Sequence, residues 1–218
     1  MSVSRNEPGR WAAISPFFVS PRARRSGPMT CEDAALDEDE CYLSTRRLRL
    51  RPATLGDAPA IARHANDRQI AEMTSRIPHP YTLGHAEAFL TGVEDELILA
   101  VTRRSDNVFV GLASLQALEA DDAVELGYWI GRPFWSQGYA TEAAQAVIDH
   151  AFSRLAMELV EVRCRVINGA SRRVIQKCGF GYCGTGLSLS LAAGRVASET
   201  YRMDRRCWQS LKDWSRTG

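Results

Sequence analysis

Leu48 and Leu50 alternate with Arg47, Arg49 and Arg51 until Pro52 ends the run, and this period of two predicts a half-buried strand beginning near Thr45. Thr54 and Asp57 follow, three positions apart, as in a capping box. Ala58, Ile61, Ala62 and Ala65 then recur at helical spacing and predict a first helix. The stretch Ile77-Pro78-His79-Pro80-Tyr81 is expected to be irregular, because each proline disfavours helix at the residue before it. Thr82 caps a second expected helix with Ala86, Phe89, Leu90 and Val93 on one face.

Apolar runs at Leu97–Val101 and Val108–Leu115 flank the polar turn Arg104-Ser105-Asp106-Asn107 and read as a hairpin, with a further strand over Val124–Ile130. The strongest helical signal follows Gly138, where Ala140, Ala143, Ala144, Val147, Ile148, Ala151, Phe152 and Leu155 form one apolar stripe. Val160, Val162, Cys164 and Val166 alternate with charged residues as a strand, and Asn168-Gly169-Ala170-Ser171 opens a short helix that Gly179 stops. Two last strands, around Leu187–Ala192 and Ser198–Arg205, are expected to turn at Gly194. The order predicts a single α/β domain over residues 44–210, with a short tail at 211–218. No period is sustained from Met1 to about residue 43, where four prolines interrupt and an arginine cluster precedes an acidic run; this is expected to be a disordered extension, and Met29 offers a second candidate start.

Composition narrows the function. The 27 Lys and Arg against 26 Asp and Glu leave a net charge of +1, which argues against nucleic acid as a partner. No apolar run approaches the roughly 20 residues that span a bilayer, and no signal core opens the chain, so a cytoplasmic protein is expected. The six cysteines, Cys31, Cys41, Cys164, Cys178, Cys183 and Cys207, lack zinc-ligand spacing, and no metal site is expected.

Chemistry concentrates where the strand ending at Ile130 passes through Gly131–Gly138 into the strong helix. The first turn of a helix carries backbone N–H groups without intrahelical partners and the positive end of the dipole, and Gly138 permits close approach, so the junction suits a pyrophosphate. It matches neither GxGxxG nor GxxxxGK[ST], which weakens dinucleotide and P-loop readings.

Three segments, Glu125-Leu126-Gly127-Tyr128-Trp129-Ile130, Phe134-Trp135-Ser136-Gln137-Gly138-Tyr139-Ala140-Thr141-Glu142-Ala143 and Asn168 through Phe180, resemble the GNAT superfamily of N-acetyltransferases, in the branch of the RimJ/RimL-type ribosomal-protein alanine N-acetyltransferases. The likeness spans roughly Ser44–Trp208. It implies a central mixed, mostly antiparallel sheet of about six or seven strands flanked by about four helices, with a splayed strand pair forming an acetyl-CoA cleft. It also implies cofactor contacts from Trp129 and Ile130, from the loop residues Trp135, Ser136, Gln137, Gly138, Tyr139, Ala140 and Thr141, and from Asn168, Ser171 and Lys177. Arg172 and Arg173 lie within reach of the adenosine phosphates on the same reading. Ser136 stands where the family usually has glycine, which a side chain tolerates if that residue's φ is negative. The helical position where many members place a tyrosine acid is Ile175.

Acetyl transfer from a thioester to an amine needs a base, oxyanion donors and a proton for the leaving thiolate. Glu125 is the first candidate base and Glu161 the second, each on a strand flanking the implied cleft, and Ser171 is the candidate acid. The RimJ/RimL-like resemblance implies a protein amino terminus as the favoured acceptor. The alternatives are a small amine such as a polyamine or aminoglycoside, and a CoA-binding module without catalysis. Asp67 and Glu72 are candidates for attracting a cationic acceptor. Either a monomer or a homodimer fits the sequence.

Overall fold

A computed structural model of the chain describes residues 43–92, 96–120 and 122–217. The expected extension, with Met29, Cys31 and Cys41, lies outside these residues, as does Val93.

The short strand β1 (Leu43–Ser44) pairs with β2 (Leu48–Pro52), whose Leu48 and Leu50 are fully buried as their alternation requires. The Thr54/Asp57 capping box closes a 3₁₀ turn at Leu55–Asp57, and α1 (Ala58–Ala65) leads out of it. Asp57 is buried, and although burial alone would raise its pKa, the Arg51 guanidinium and the Thr54 N–H hold it below its ordinary value. A six-residue helix α2 (Arg68–Met73) follows, capped by Asp67, whose carboxylate accepts the Gln69 N–H at 2.8 Å. Its brevity left no periodic signal. The proline stretch is irregular, and Thr82 caps α3 (Leu83–Thr91).

The strands β3 (Glu96–Arg103), β4 (Phe109–Ala117) and β5 (Ala123–Ile130) are consecutive and antiparallel. A 3₁₀ turn at Arg132–Phe134 leads to α4 (Tyr139–Ser153), then β6 (Leu159–Arg165), α5 (Gly169–Lys177), β7 (Gly181–Ser190), β8 (Gly194–Asp204) and α6 (Arg205–Thr217). The sheet order is β1-β2-β3-β4-β5-β6-β8-β7. Among the described residues the mixed sheet has eight strands and the helices number six, somewhat more than the expected six or seven and four. The last hairpin is longer than expected because β7, an edge strand rich in glycine and serine, shows no apolar alternation before Leu187. The expected tail is mostly α6, held by packing that its polar sequence hides: Trp208 stacks on Phe152 with ring centroids 5.3 Å apart, its indole N–H donates to Asp149 at 2.8 Å, and Leu211 covers Gly179.

Among the described residues the β5–β6 pair is the only parallel one, as a helical crossover between neighbouring strands demands. Its register runs only from Ala123 opposite Leu159 to Glu125 opposite Glu161, after which the strands part. The helices α1, α2 and α3 pack one apolar cluster onto Ala100, Phe109 and Leu112 of the sheet, while the buried alanine stripe of α4 lies on β4 and β5.

Candidate active site

The parting strands open a cavity of about 590 Å³, lined by Leu126–Ile130 of β5 on one side and Val162–Arg165 of β6 on the other. Beyond Glu125 the β5 edge has lost its strand partner, which leaves main-chain groups for a ligand. One is already used, because the Trp135 indole N–H donates to the Ile130 carbonyl at 2.6 Å. Gly127 keeps the floor low between Glu125 and Trp129, and a Cβ there would come within 2.8 Å of Ser114 Oγ. Trp129 both borders the cavity and packs on the α1–α3 cluster, with Phe109 6.1 Å away.

The junction read in the sequence as a candidate pyrophosphate site is a helix start with a glycine N-cap. Gly138 is the N-cap of α4 at φ +81, no side chain caps the helix, and the first intrahelical main-chain bond runs from the Glu142 N–H to the Gly138 carbonyl at 3.1 Å. The N–H groups of Tyr139, Ala140 and Thr141 are the orphan donors of that turn. Ser136 and Ala140 border the main cavity, whereas Gly138, Thr141 and Lys177 border a shallow hollow with Arg46 and Arg47. Ser136 has φ +61, so the condition of a negative φ is not met, and serine occupies a conformation that costs a side-chain-bearing residue roughly 1–2 kcal/mol.

Arg47 had no signal in the sequence beyond its place before a strand. Its Nη1 donates to the Gln137 carbonyl at 2.9 Å, its guanidinium carbon lies 4.7 Å from the centre of the buried Tyr139 ring, and its Nε pairs with Glu142 at 2.7 Å. Gln137 itself is exposed. Arg172 is committed elsewhere, to Glu199 and the Val166 carbonyl, because α5 must be anchored to β6 and β8. Neither it nor Arg173 borders the hollow.

At the floor, the register aligns Glu96, Gln116, Glu125, Glu161 and Arg202 across five strands in one row. Arg76 holds Glu96 bidentately at 2.5 and 2.7 Å, and Arg163 bridges Glu125 at 2.9 Å and Glu161 at 3.0 Å. Glu161 is buried, gives its second oxygen to Arg202 at 2.8 Å, and does not border the cavity. Glu125 borders it, and burial pushes its carboxyl above the ordinary range although Arg163 pulls the other way. Asp67 and Glu72 do not reach the cavity: Asp67 caps α2 and faces Arg132 at 3.6 Å, and Glu72 pairs with Arg68.

Across the gap, Asn168 caps α5 by accepting the Ser171 N–H at 3.0 Å. The Ser171 hydroxyl lies 2.9 Å from the Tyr128 hydroxyl, and both residues border the cavity. Burial raises the Tyr128 pKa, so its phenol stays protonated at neutral pH. The period of β5 sets Tyr128 on the face opposite Glu125, where α5 meets it.

A helix N-terminus open to phosphates, beside a strand edge freed by a splay, with a carboxylate and a hydroxyl pair bordering the gap, defines a CoA-dependent acyltransferase. The chain belongs to the GNAT acetyltransferase family, whose acetyltransferase (GNAT) domain matches residues 47–181. It is 24% identical over 162 residues to the N-acetyltransferase p20 of Bacillus licheniformis, covering 71% of this chain and 90% of that one. It is 31% identical over 98 residues to the ribosomal-protein-serine acetyltransferase of Escherichia coli, covering 44% and 48%. The solved structure of Mycobacterium smegmatis RimJ in complex with CoA-disulfide superposes with a TM-score of 0.66 at 20% identity, covering 78% of this chain and 90% of that one. The protein is an acetyl-CoA-dependent N-acetyltransferase of GNAT type. Among the described residues no group of three His, Cys, Asp or Glu could hold a metal ion, and no helix is long and apolar enough to cross a membrane.

Proposed function

We infer that the protein acetylates the amino terminus of a polypeptide in the cytoplasm, with Glu125 as base and the Ser171–Tyr128 pair as the proton source. The observation that carries the acceptor class is the wall of the cavity. The edge strand β7 forms part of it, with Leu187 and Leu189 standing 68% and 67% exposed, a surface suited to an extended chain. The likeness to the E. coli enzyme named for a ribosomal protein supports the same class.

The residues fit acetyl-CoA. The open first turn of α4, Gly138 at φ +81 and the cations Arg46, Arg47 and Lys177 suit its phosphates, and the free edge of β5 suits its amide arm. When bound, it supplies an acetyl group activated as a thioester. Glu125 takes the proton of the acceptor ammonium, a task its raised pKa favours over that of an ordinary carboxylate. The hydroxyl of Ser171, backed by that of Tyr128, gives a proton to the departing sulfur. Glu161, with both oxygens held by arginines, keeps Arg163 in place beneath Glu125.

Calorimetric titration with acetyl-CoA, followed by thiol release with peptides of varied amino termini and with polyamines and aminoglycosides, tests this reading. Turnover of peptides above small amines is expected. Preference for small amines would move the acceptor class, and binding without any turnover would leave a CoA-binding module. In Glu125→Gln the acidic limb of kcat/KM is expected to vanish.

A further inference from the structure

The cavity wall carries three arginines, Arg76, Arg163 and Arg165, against two glutamates, Glu96 and Glu125. Arg76 is matched to Glu96 and Arg163 to Glu125. Arg165 is left over. Among the described residues it forms no ion pair, its Nη1 donates to the Glu72 carbonyl at the end of α2, and its buried Nε finds no acceptor. A buried guanidinium donor without a partner is costly, and an acidic group in the cavity would supply the counter-charge that Arg165 lacks.

We propose that Arg165 is the recognition site for an acidic side chain of the acceptor, so that the preferred substrate is an amino terminus followed closely by Asp or Glu. The claim deepens the peptide-acceptor reading and rests on it. The fold supplies the spacing. Glu161, Arg163 and Arg165 share one face of β6, and Glu161 stands opposite Glu125. Arg165 therefore lies four residues along the strand from the candidate base, on the order of 13 Å at about 3.3 Å per residue. An extended peptide with its amine at Glu125 covers that distance by roughly its fourth residue, and the reach of two side chains shortens it to roughly positions two to four.

The surroundings favour a polypeptide acid over a compact zwitterion. Ser188, Ser190 and Ser198 border the cavity with Arg165, and the β7–β8 hairpin is tied to the end of α2 by the Ser190 hydroxyl on the Thr74 carbonyl at 2.9 Å and the Leu191 N–H on the Ser75 carbonyl at 2.9 Å. The guanidinium thus sits between two fixed elements, pre-organised for an anion arriving along β7.

The test uses the full chain and paired short peptides that share an amino-terminal alanine and carry either Asp and Glu, or Asn and Gln, at positions two to four. The acidic peptide is expected to have a KM about tenfold lower, the gain of one charge-assisted contact. Its binding to the CoA-loaded enzyme, followed by fluorescence anisotropy, should show the same preference. In Arg165→Gln the acidic-to-neutral ratio should collapse towards one, and in Arg165→Lys, which keeps a point charge without the guanidinium, it should fall part of the way. A purely structural Arg165 would impair both peptides alike and leave the ratio intact, which overturns the proposal. Equal KM values in the unaltered enzyme overturn it without any variant. Failure of every peptide beside rapid acetylation of small amines overturns instead the peptide reading beneath it.

Discussion

Glu142, in the first turn of α4, ties the amino-terminal strands to the helix start proposed to hold the cofactor phosphates, and replacing it with glutamine tests that link. Its Oε1 accepts the Thr45 hydroxyl at 2.6 Å and the Arg47 N–H at 2.8 Å, and Oε2 accepts Arg47 Nε at 2.7 Å. Glutamine keeps the shape and one acceptor, but its amide nitrogen must then face a donor. The contacts to a charged group are worth roughly 1.5–3 kcal/mol each when buried. The Arg47 side chain is 36% exposed, which screens its share, and the favourable charge at the helix start adds about 0.3–1 kcal/mol. A loss of about 2 kcal/mol is expected for Glu142→Gln, or roughly 4–8 °C in Tm for a domain of this size. Arg47, released from Glu142, should also loosen on the Gln137 carbonyl and the Tyr139 ring, raising the Kd for acetyl-CoA several-fold. The pH dependence supplies a second readout. Burial alone would raise the Glu142 pKa, but the bonds from Thr45 and Arg47 outweigh it and hold the folded value below 4.5. Its contribution is thus complete above the unfolded value and is lost as pH falls through the folded one, so the gap between the two proteins should close there. Urea unfolding at several pH values and calorimetry with acetyl-CoA measure both effects. A variant within about 0.5 kcal/mol of the parent at neutral pH would refute the reasoning.

Ser136→Gly should stabilise the protein by up to about 1 kcal/mol, since relief of the positive φ exceeds the added freedom of the unfolded chain, and a lower urea midpoint would contradict this. His150 is 7% exposed, and burial first, then the Arg154 charge, pushes its pKa down to about 4. Between that value and about 6.5 the unfolded chain binds a proton that the folded one refuses, so stability should fall by up to about 3 kcal/mol as pH drops through this window. Urea midpoints should lose that dependence in His150→Gln; parallel profiles for the two proteins would count against it. Tyr128→Phe removes the phenol beside Ser171 and should lower kcat at least tenfold in thiol-release assays with little change in the KM for acetyl-CoA. A kcat within about twofold of the parent would remove Tyr128 from the proton path.

Elements with strong periods were legible from the chain alone. The alternation of Leu48 and Leu50, the capping pair Thr54 and Asp57, and the alanine stripe of α4 each need only local sequence to declare themselves, and each forms as expected. The helix start at Gly138 was legible for the same reason, because a helix N-terminus after a glycine is a local object. What escaped was short or held from outside. The helix α2 has six residues, and α6 is fastened by Trp208 and Lys212 to Asp149, a partner far away in sequence.

The candidate cofactor groups could be proposed from motif and period, since they lie on one strand, one loop and two helix starts. Partner choice among charges could not. Glu125 and Glu161 look equivalent along the chain, each a glutamate in an alternating strand. Pairing β5 with β6 for three register positions, and then separating the strands, leaves Glu125 at an opening and seals Glu161 between Arg163 and Arg202. Arg76, Arg163 and Arg165 look alike along the chain, yet the fold gives the first two a carboxylate and leaves Arg165 without one among the described residues. Periodicity sets which face a side chain takes, a local property of the backbone. Which charge finds a partner depends on strands brought together by the fold, and only the tertiary structure decides it.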